Sequence, residues 1–270
     1  MSEALELRLL ERLAALPGAI VAFSGGVDSA VLLHAAARAL TRERVVAVTA
    51  RSPSLPSHEL DEARAFTAGL GVEHRVLDTQ ELAREGYRRN DPDRCYHCKS
   101  ELFDVVAREF DDEVRTRGFA VAFGAIVDDL ADHRPGARAA KERGVLAPLA
   151  DAGFDKLAVR DYARRHALAV AEKPSFACLG SRVAYGTPID AGLLGRLERG
   201  ESLLRARGFR QFRLRHHGVI ARIEVLPEDL PRLVALRVEL EPALRELGWR
   251  YVTVDLGGFR SGSMNEVLPR

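Results

Sequence analysis

The sequence predicts a doubly wound α/β fold, a parallel sheet with helices on both faces, joined to a second, smaller α/β domain. Three observations predict it. Apolar runs and helical periods alternate as β-α-β-α-β through residue 78. A Gly-Gly turn, Ser24-Gly25-Gly26-Val27-Asp28-Ser29, stands where the first apolar run meets a helix. Beyond residue 190 the order changes to α-β-β-α-β, which does not continue the first pattern.

The elements follow in order. Residues 3–16 carry leucines at helical spacing and form an amphipathic helix. Gly18–Phe23 is a short apolar run and predicts a buried strand, followed by helical AVLLHAAARAL and the strand RVVAVTA. A helix at 57–70 and a strand at 73–78 come next. The stretch 84–98 is polar and ends in RCYHC; a helix from about Lys99 to Arg117 leads to the strand FAVAFGA. VDDLADHRPGARAA reads as a polar loop, and Asp155–His166 as a helix. Residues 170–188 lack periodicity and are rich in reactive side chains, a frequent property of functional segments. A helix at 190–207, strands at 209–216 and 219–225, a helix at 228–247 and a strand at 249–255 complete the chain. The expected division is a first domain at 1–171, a reactive segment at 172–188 and a C-terminal domain at 189–270.

A chain of 270 residues can bury one large core and a smaller one. Its net charge of +1, from 40 basic and 39 acidic residues, gives no general field to draw in nucleic acid, which is not an expected partner. The acidic, helical start is unlike a secretory signal. No apolar run reaches the roughly 18 residues that span a bilayer, so a cytoplasmic protein without a membrane partner is expected. Three cysteines, Cys95, Cys98 and Cys178, are an odd set that argues against a disulfide framework.

In Ser24–Ser29, two glycines let the backbone approach an anion, and the helix start supplies N–H groups and a favourable dipole. Ser24 and Ser29 can add hydroxyl donors, and Asp28 can bind Mg²⁺ or cap the helix. A Walker lysine is absent. The bland reading is a capped Gly-Gly turn. Strand–SGGVDS–helix resembles the PP-loop of ATP pyrophosphatases, which have the adenine nucleotide alpha hydrolase-like fold. The resemblance implies that ATP is cut between its α- and β-phosphates, that AMP passes to an acceptor, and that the loop grips pyrophosphate.

Arg94-Cys95-Tyr96-His97-Cys98-Lys99 sets two thiols at C-x-x-C spacing, and Cys178 lies in Lys173-Pro174-Ser175-Phe176-Ala177-Cys178-Leu179-Gly180-Ser181-Arg182. Arg94, Lys99, Lys173 and Arg182 are expected to favour thiolate, the form that attacks and that binds metal. Three thiolates suit three corners of a [4Fe–4S] cluster. Spacing alone leaves zinc, with a histidine as fourth ligand, a redox pair, or a packed Cys178 open.

RCYHCK, DDLADHRPG, KPSFACLGSR, RLRHHGVIARIEV and DLGGFRSGSMNE together resemble the LarE sulfur transferases of nickel-pincer nucleotide synthesis, from about Gly18 to Glu266. That resemblance implies adenylation of pyridinium-3,5-biscarboxylic acid mononucleotide, displacement of AMP by sulfur, and a homo-oligomer. One branch gives up the sulfur of a cysteine matching Cys178. The other holds a [4Fe–4S] cluster on three cysteines, with sulfide or another sulfur donor. All three positions are occupied here, which implies the cluster branch, with ATP and Mg²⁺ as the other cofactors. Ser181 and Arg182, beside Cys178, are expected to position the intermediate. Gly124-Ala125-Ile126-Val127-Asp128-Asp129 departs from the family's G-T-N-x-D-D, which removes two polar side chains.

Arg213, Arg215 and His217 share one face of a predicted strand. By resemblance, Arg213 and Arg215 bind the substrate phosphate with their guanidinium forks; an exposed ion-paired face is the alternative. Glu201 matches an acidic position near a metal and is a candidate Mg²⁺ ligand, or a solvated helix residue. Arg260, Ser261 and Ser263 form a polar turn after the last strand. The rival functions are a tRNA thiolase, an amide-forming synthetase, and a zinc-containing nucleotide-binding module without catalysis.

Overall fold

A computed structural model of the chain describes residues 2–131, 135–174, 177–260 and 263–264. These divide into two compact units: Met1–Glu81 with Cys95–Phe176, and Leu82–Arg94 with Ala177–Arg270. The short segment 82–94 thus groups with the C-terminal residues, an excursion absent from a linear division of the chain.

The first unit contains α1 (Ser2–Ala14), β1 (Ala19–Ala22), α2 (Val27–Ala39), β2 (Val45–Arg51), α3 (Ser57–Leu70) and β3 (Glu73–Asp78). The short helix α4 (Glu85–Arg88) belongs to the second unit. Back in the first come α5 (Arg94–Glu109), α6 (Asp111–Arg115), β4 (Ala120–Phe123), α7 (Val127–Ala131), α8 (Pro135–Glu142), α9 (Pro148–Ala152) and α10 (Lys156–Arg165). The sheet order is β3-β2-β1-β4, with every pairing parallel. Strand alternation supplies both faces. Ala19, Val21, Val45 and Ala47 join a core with residues of α1, α2 and α10, while Ile20, Ala22, Val46 and Val48 join another with Leu102, Phe103 and Val106 of α5. The parallel doubly wound class is as expected. Because β1 is flanked by β2 on one side and β4 on the other, a topological switch point lies between β1 and β4, where ligands bind at the carboxyl ends of such sheets.

Two local readings of the first unit are corrected. The helix expected from Lys99 begins at Arg94, so Cys95 and Cys98 lie in its first two turns. Pro92 and the acids Asp91 and Asp93 are typical of the residues that open a helix. The expected loop 127–140 contains α7 and α8 instead, for the alanines and long side chains of Pro135–Glu142 are good helix formers.

In the second unit α11 (Ala191–Ala206) packs on a sheet of β5 (Phe212–His217), β6 (Ile220–Val225) and β7 (Tyr251–Val254), ordered β5-β6-β7. β5 and β6 are antiparallel, β6 and β7 parallel. The single helix expected at 228–247 is broken at Leu236 into α12 (Leu230–Ala235) and α13 (Arg237–Glu246). Gly200 permits close packing of α11: a Cβ there would stand 2.3 Å from a Leu214 methyl.

Candidate functional site

In the first unit, the Gly-Gly loop follows β1 directly. Gly25 has φ of +77°, a conformation that favours glycine, and Gly26 caps α2 without a side-chain bond. Ser24 is exposed and Ser29 buried; their hydroxyls lie 3.2 Å apart, and Ser29 Oγ donates to Gly26 O at 3.0 Å. Gly124, just past β4, presses on this loop, for a Cβ there would stand 2.7 Å from Ser29 N. Ala125 and Ile126, in place of the family's polar pair, are buried. Asp129 accepts from Ile126 N, three residues before it, and Asp128 accepts from Lys156 N at the start of α10, so both carboxylates satisfy backbone donors at helix starts.

The loop lacks a Walker lysine, yet two lysines from distant sequence reach it. Lys156 Nζ donates to both carboxylate oxygens of Asp28, at 2.7 and 2.8 Å. Lys173 Nζ donates to Gly25 O at 3.1 Å, to Glu59 at 2.6 Å and meets Glu62 at 2.7 Å. Burial pushes the Glu59 carboxyl up, but hydrogen bonds from His58 and Lys173 together outweigh it and hold the group below the usual range. Lys173, expected to act on a thiol, lies against the Gly-Gly loop. These two ammonium groups and Glu59 are functional candidates that local reading missed. The available signal was rarity: the chain has only four lysines among its 40 basic residues.

Cys95 is exposed and Cys98 half-buried on α5, three residues apart and so on one helical face. In the second unit, half-buried Cys178 precedes a 3₁₀ turn at Leu179–Arg182. Ser181 Oγ donates to Cys178 O at 2.7 Å and accepts from Arg182 at 2.9 Å. Arg182 Nη1 also donates to Cys178 O at 3.1 Å and to Ala177 O. Arg94, the residue before Cys95, donates to Gly180 O at 2.9 Å and to Asn90. The thiolate donor type suits iron. Among the described residues, no group of three or more His, Cys, Asp or Glu side chains is drawn together closely enough to hold a metal ion.

Glu201, a candidate Mg²⁺ ligand, is 3% exposed and holds Arg182 through both oxygens, at 2.8 and 3.3 Å, while accepting from Leu214 N at 3.2 Å. It therefore anchors the guanidinium next to Cys178. Arg215 donates to Ser181 O at 3.0 Å and to Glu224 at 2.9 Å. Arg213 is half-buried, and its pKa is pushed down to about 10, first by burial and then by neighbouring Arg182. Ser263 bonds Glu224 at 3.0 Å, Arg260 lies 3.6 Å from Asp255, and Ser261 lies outside the described residues.

Comparison with known proteins bears on this arrangement. Residues 18–90, which hold the loop, match the family described as Queuosine biosynthesis protein QueC. Across 254 residues the chain is 35% identical to the pyridinium-3,5-bisthiocarboxylic acid mononucleotide synthase of Lactiplantibacillus plantarum, covering 93% of this chain and 90% of that one. The chain belongs to the LarE family. Another relative is an uncharacterised protein of Synechocystis, slr1717, 39% identical over 259 residues and 93% of each chain. Outside LarE, an NH(3)-dependent NAD(+) synthetase of Methanococcoides burtonii is 33% identical over 76 residues, 28% of each chain. The LarE chain is thus a PP-loop enzyme that uses ATP. Among its described residues, no helix is long and apolar enough to cross a membrane.

Proposed function

We propose that the chain is an ATP-dependent sulfur transferase that converts a carboxylate of pyridinium-3,5-biscarboxylic acid mononucleotide to a thiocarboxylate. A carboxylate oxygen of the substrate attacks the α-phosphorus of ATP, and pyrophosphate leaves. A sulfur nucleophile then attacks the acyl carbon of the adenylate, and AMP leaves. The carrying observation is the Gly-Gly loop with Lys156 and Lys173 directed onto it at a sheet switch point. Such cations and backbone donors stabilise the charge on a departing pyrophosphate. Asp28 is a ligand for Mg²⁺ once Lys156 turns from it to phosphate. Arg213 and Arg215 are assigned to the substrate phosphate, and Ser181 and Arg182 to positioning near Cys178.

The sulfur is assigned to the thiol-bearing segments, with Cys95, Cys98 and Cys178 as ligands of a [4Fe–4S] cluster. The C-x-x-C pair near the start of α5 and the half-buried third thiol supply the donor type that such a cluster takes, which supports this. When bound, the cluster supplies an iron open to exogenous sulfide from a donor in the cytoplasm.

The test combines the purified chain with ATP, Mg²⁺ and the dicarboxylate. Substrate-dependent release of pyrophosphate and a thiocarboxylate in the mass spectrum are expected; absence of both refutes the activity. Anaerobic purification should give about four irons per chain, lost in Cys95→Ser, Cys98→Ser and Cys178→Ser. Zinc without iron overturns the cluster. A product-dependent loss of H₂S from the chain's own mass assigns the sulfur to Cys178 alone.

A further inference from the structure

In the second unit, strand alternation sets Arg213, Arg215 and His217 on one face of β5. The β5–β6 register pairs Arg213 with Glu224 and Arg215 with Arg222, which brings Arg222 and Glu224 to that same face. Glu224 is fully buried, and its two oxygens accept from Arg215 and Arg222, each at 2.9 Å. Two guanidinium groups therefore share one carboxylate. Ser263 Oγ also bonds Glu224, at 3.0 Å, and Arg215 at 3.0 Å. With those bonds made, three buried nitrogens remain without a hydrogen-bond partner among the described residues: Arg215 Nε, Arg222 Nε and His217 Nε2. Asp255 lies 3.7 Å from Arg222 Nε, an ion-pair distance beyond hydrogen-bond reach. Arg215 as a whole is only 5% exposed, so water is a poor remedy for its Nε–H.

Buried donors without an acceptor are costly, and an excess of buried cations calls for an anion. An acceptor with several charged oxygens meets both needs at once. Burial, followed by Arg222 and Arg215, pushes the His217 pKa down, so the neutral ring carries a single N–H. The Nε2–H tautomer directs that proton to an acceptor.

We propose that His217 and Arg222 join Arg213 and Arg215 in binding the phosphate of a phosphomonoester on this sheet face. The assignment rests on the mononucleotide reading above and adds two residues to its phosphate site. Glu224 is the fixed counter-ion that orients both arginines, and Ser263 steadies Glu224. A tetrahedral phosphate offers three terminal oxygens, enough to accept from His217 and from the Nε edges of both guanidiniums.

The test uses the full chain, with ribose 5-phosphate and ribose titrated by calorimetry, and ATP titrated separately. Wild type should bind ribose 5-phosphate and discriminate strongly against ribose. His217→Ala should weaken the phosphate ligand roughly tenfold, the effect of one charge-assisted hydrogen bond, and His217→Gln should recover most of it. Arg222→Lys, which keeps the charge beside Glu224 but removes Nε–H, should also lose about tenfold. ATP affinity should be unchanged in all three, and an unchanged melting temperature reports an intact fold. Wild-type affinity for ribose 5-phosphate in both His217→Ala and Arg222→Lys overturns the proposal, as does equal binding of ribose by wild type. Failure of the sulfur-transfer reading is separately visible: no substrate-dependent pyrophosphate release while ribose 5-phosphate still binds.

Discussion

Gly124→Ala is the sharpest probe of how the sheet holds the phosphate loop. The added Cβ would stand 2.7 Å from Ser29 N and 2.9 Å from both Asp28 C and Ser29 Cα. These are backbone atoms in the first turn of α2, so no side chain can rotate away. Restoring an ordinary contact needs a shift of about 0.7 Å between the end of β4 and the loop. Overpacking of this kind costs about 1–3 kcal/mol, offset by about 0.4–1 kcal/mol from the stiffer unfolded chain. The net loss is small against a typical total of about 5–15 kcal/mol, so the variant stays folded. Activity is more sensitive, since displacement of about 1 Å at a reacting centre can cost about a hundredfold. Substrate-dependent pyrophosphate release should therefore fall by about two orders of magnitude, with only a few degrees off the melting temperature. Gly69→Ala is the control: it lies inside α3 with nothing within 4 Å of the new methyl, and should add up to about 1 kcal/mol of stability. Wild-type turnover in Gly124→Ala would refute the claim that β4 positions the loop.

Three further outcomes are expected. Lys156→Met removes the ammonium from Asp28 and should lower pyrophosphate release about a hundredfold, comparable to deletion of one oxyanion-stabilising donor; unchanged kcat/KM would exclude Lys156 from charge neutralisation. Glu201→Gln leaves Arg182, 2% exposed, without its carboxylate and should cost about 3–5 kcal/mol in urea denaturation; a midpoint equal to wild type would show the pair to be dispensable. His34 donates or accepts with Tyr162 at 2.9 Å, and its pKa is pushed down to about 4, first by burial and then by His166 and Arg38. The unfolded state then binds more protons between pH 6.5 and about 4, so stability is full above that window and declines as pH falls through it, by at most about 3 kcal/mol from this residue. His34→Gln should flatten that part of the stability curve; an identical slope in the variant would assign it elsewhere.

Much of the scaffold was legible because its signals are local. Ala19–Ala22 and Val45–Arg51 are runs that only a doubly covered strand can bury, and Ser24–Ser29 carries its own turn chemistry. The helix at Pro135–Glu142 was not legible, since its polar residues and opening Pro-Gly also describe a loop. Cys178, Ser181 and Arg182 were expected near one another and are, within one turn and its hydrogen bonds. The pairing of Glu201 with Arg182 was not legible, since the two meet only in the folded chain.

What the amino-acid order determined alone was the alternation that builds each face of the sheet, the glycines that let the loop approach an anion, and the supply of three thiols. What only the tertiary structure decided was which charges complete those parts. Lys156 meets Asp28 across 128 residues, and Lys173 reaches Gly25 across 148. Glu224 turns two cross-strand arginines toward one face. Periodicity is a property of neighbours along the chain, whereas an ion pair depends on where the sheet order brings distant segments, so the first can be read from residues and the second cannot.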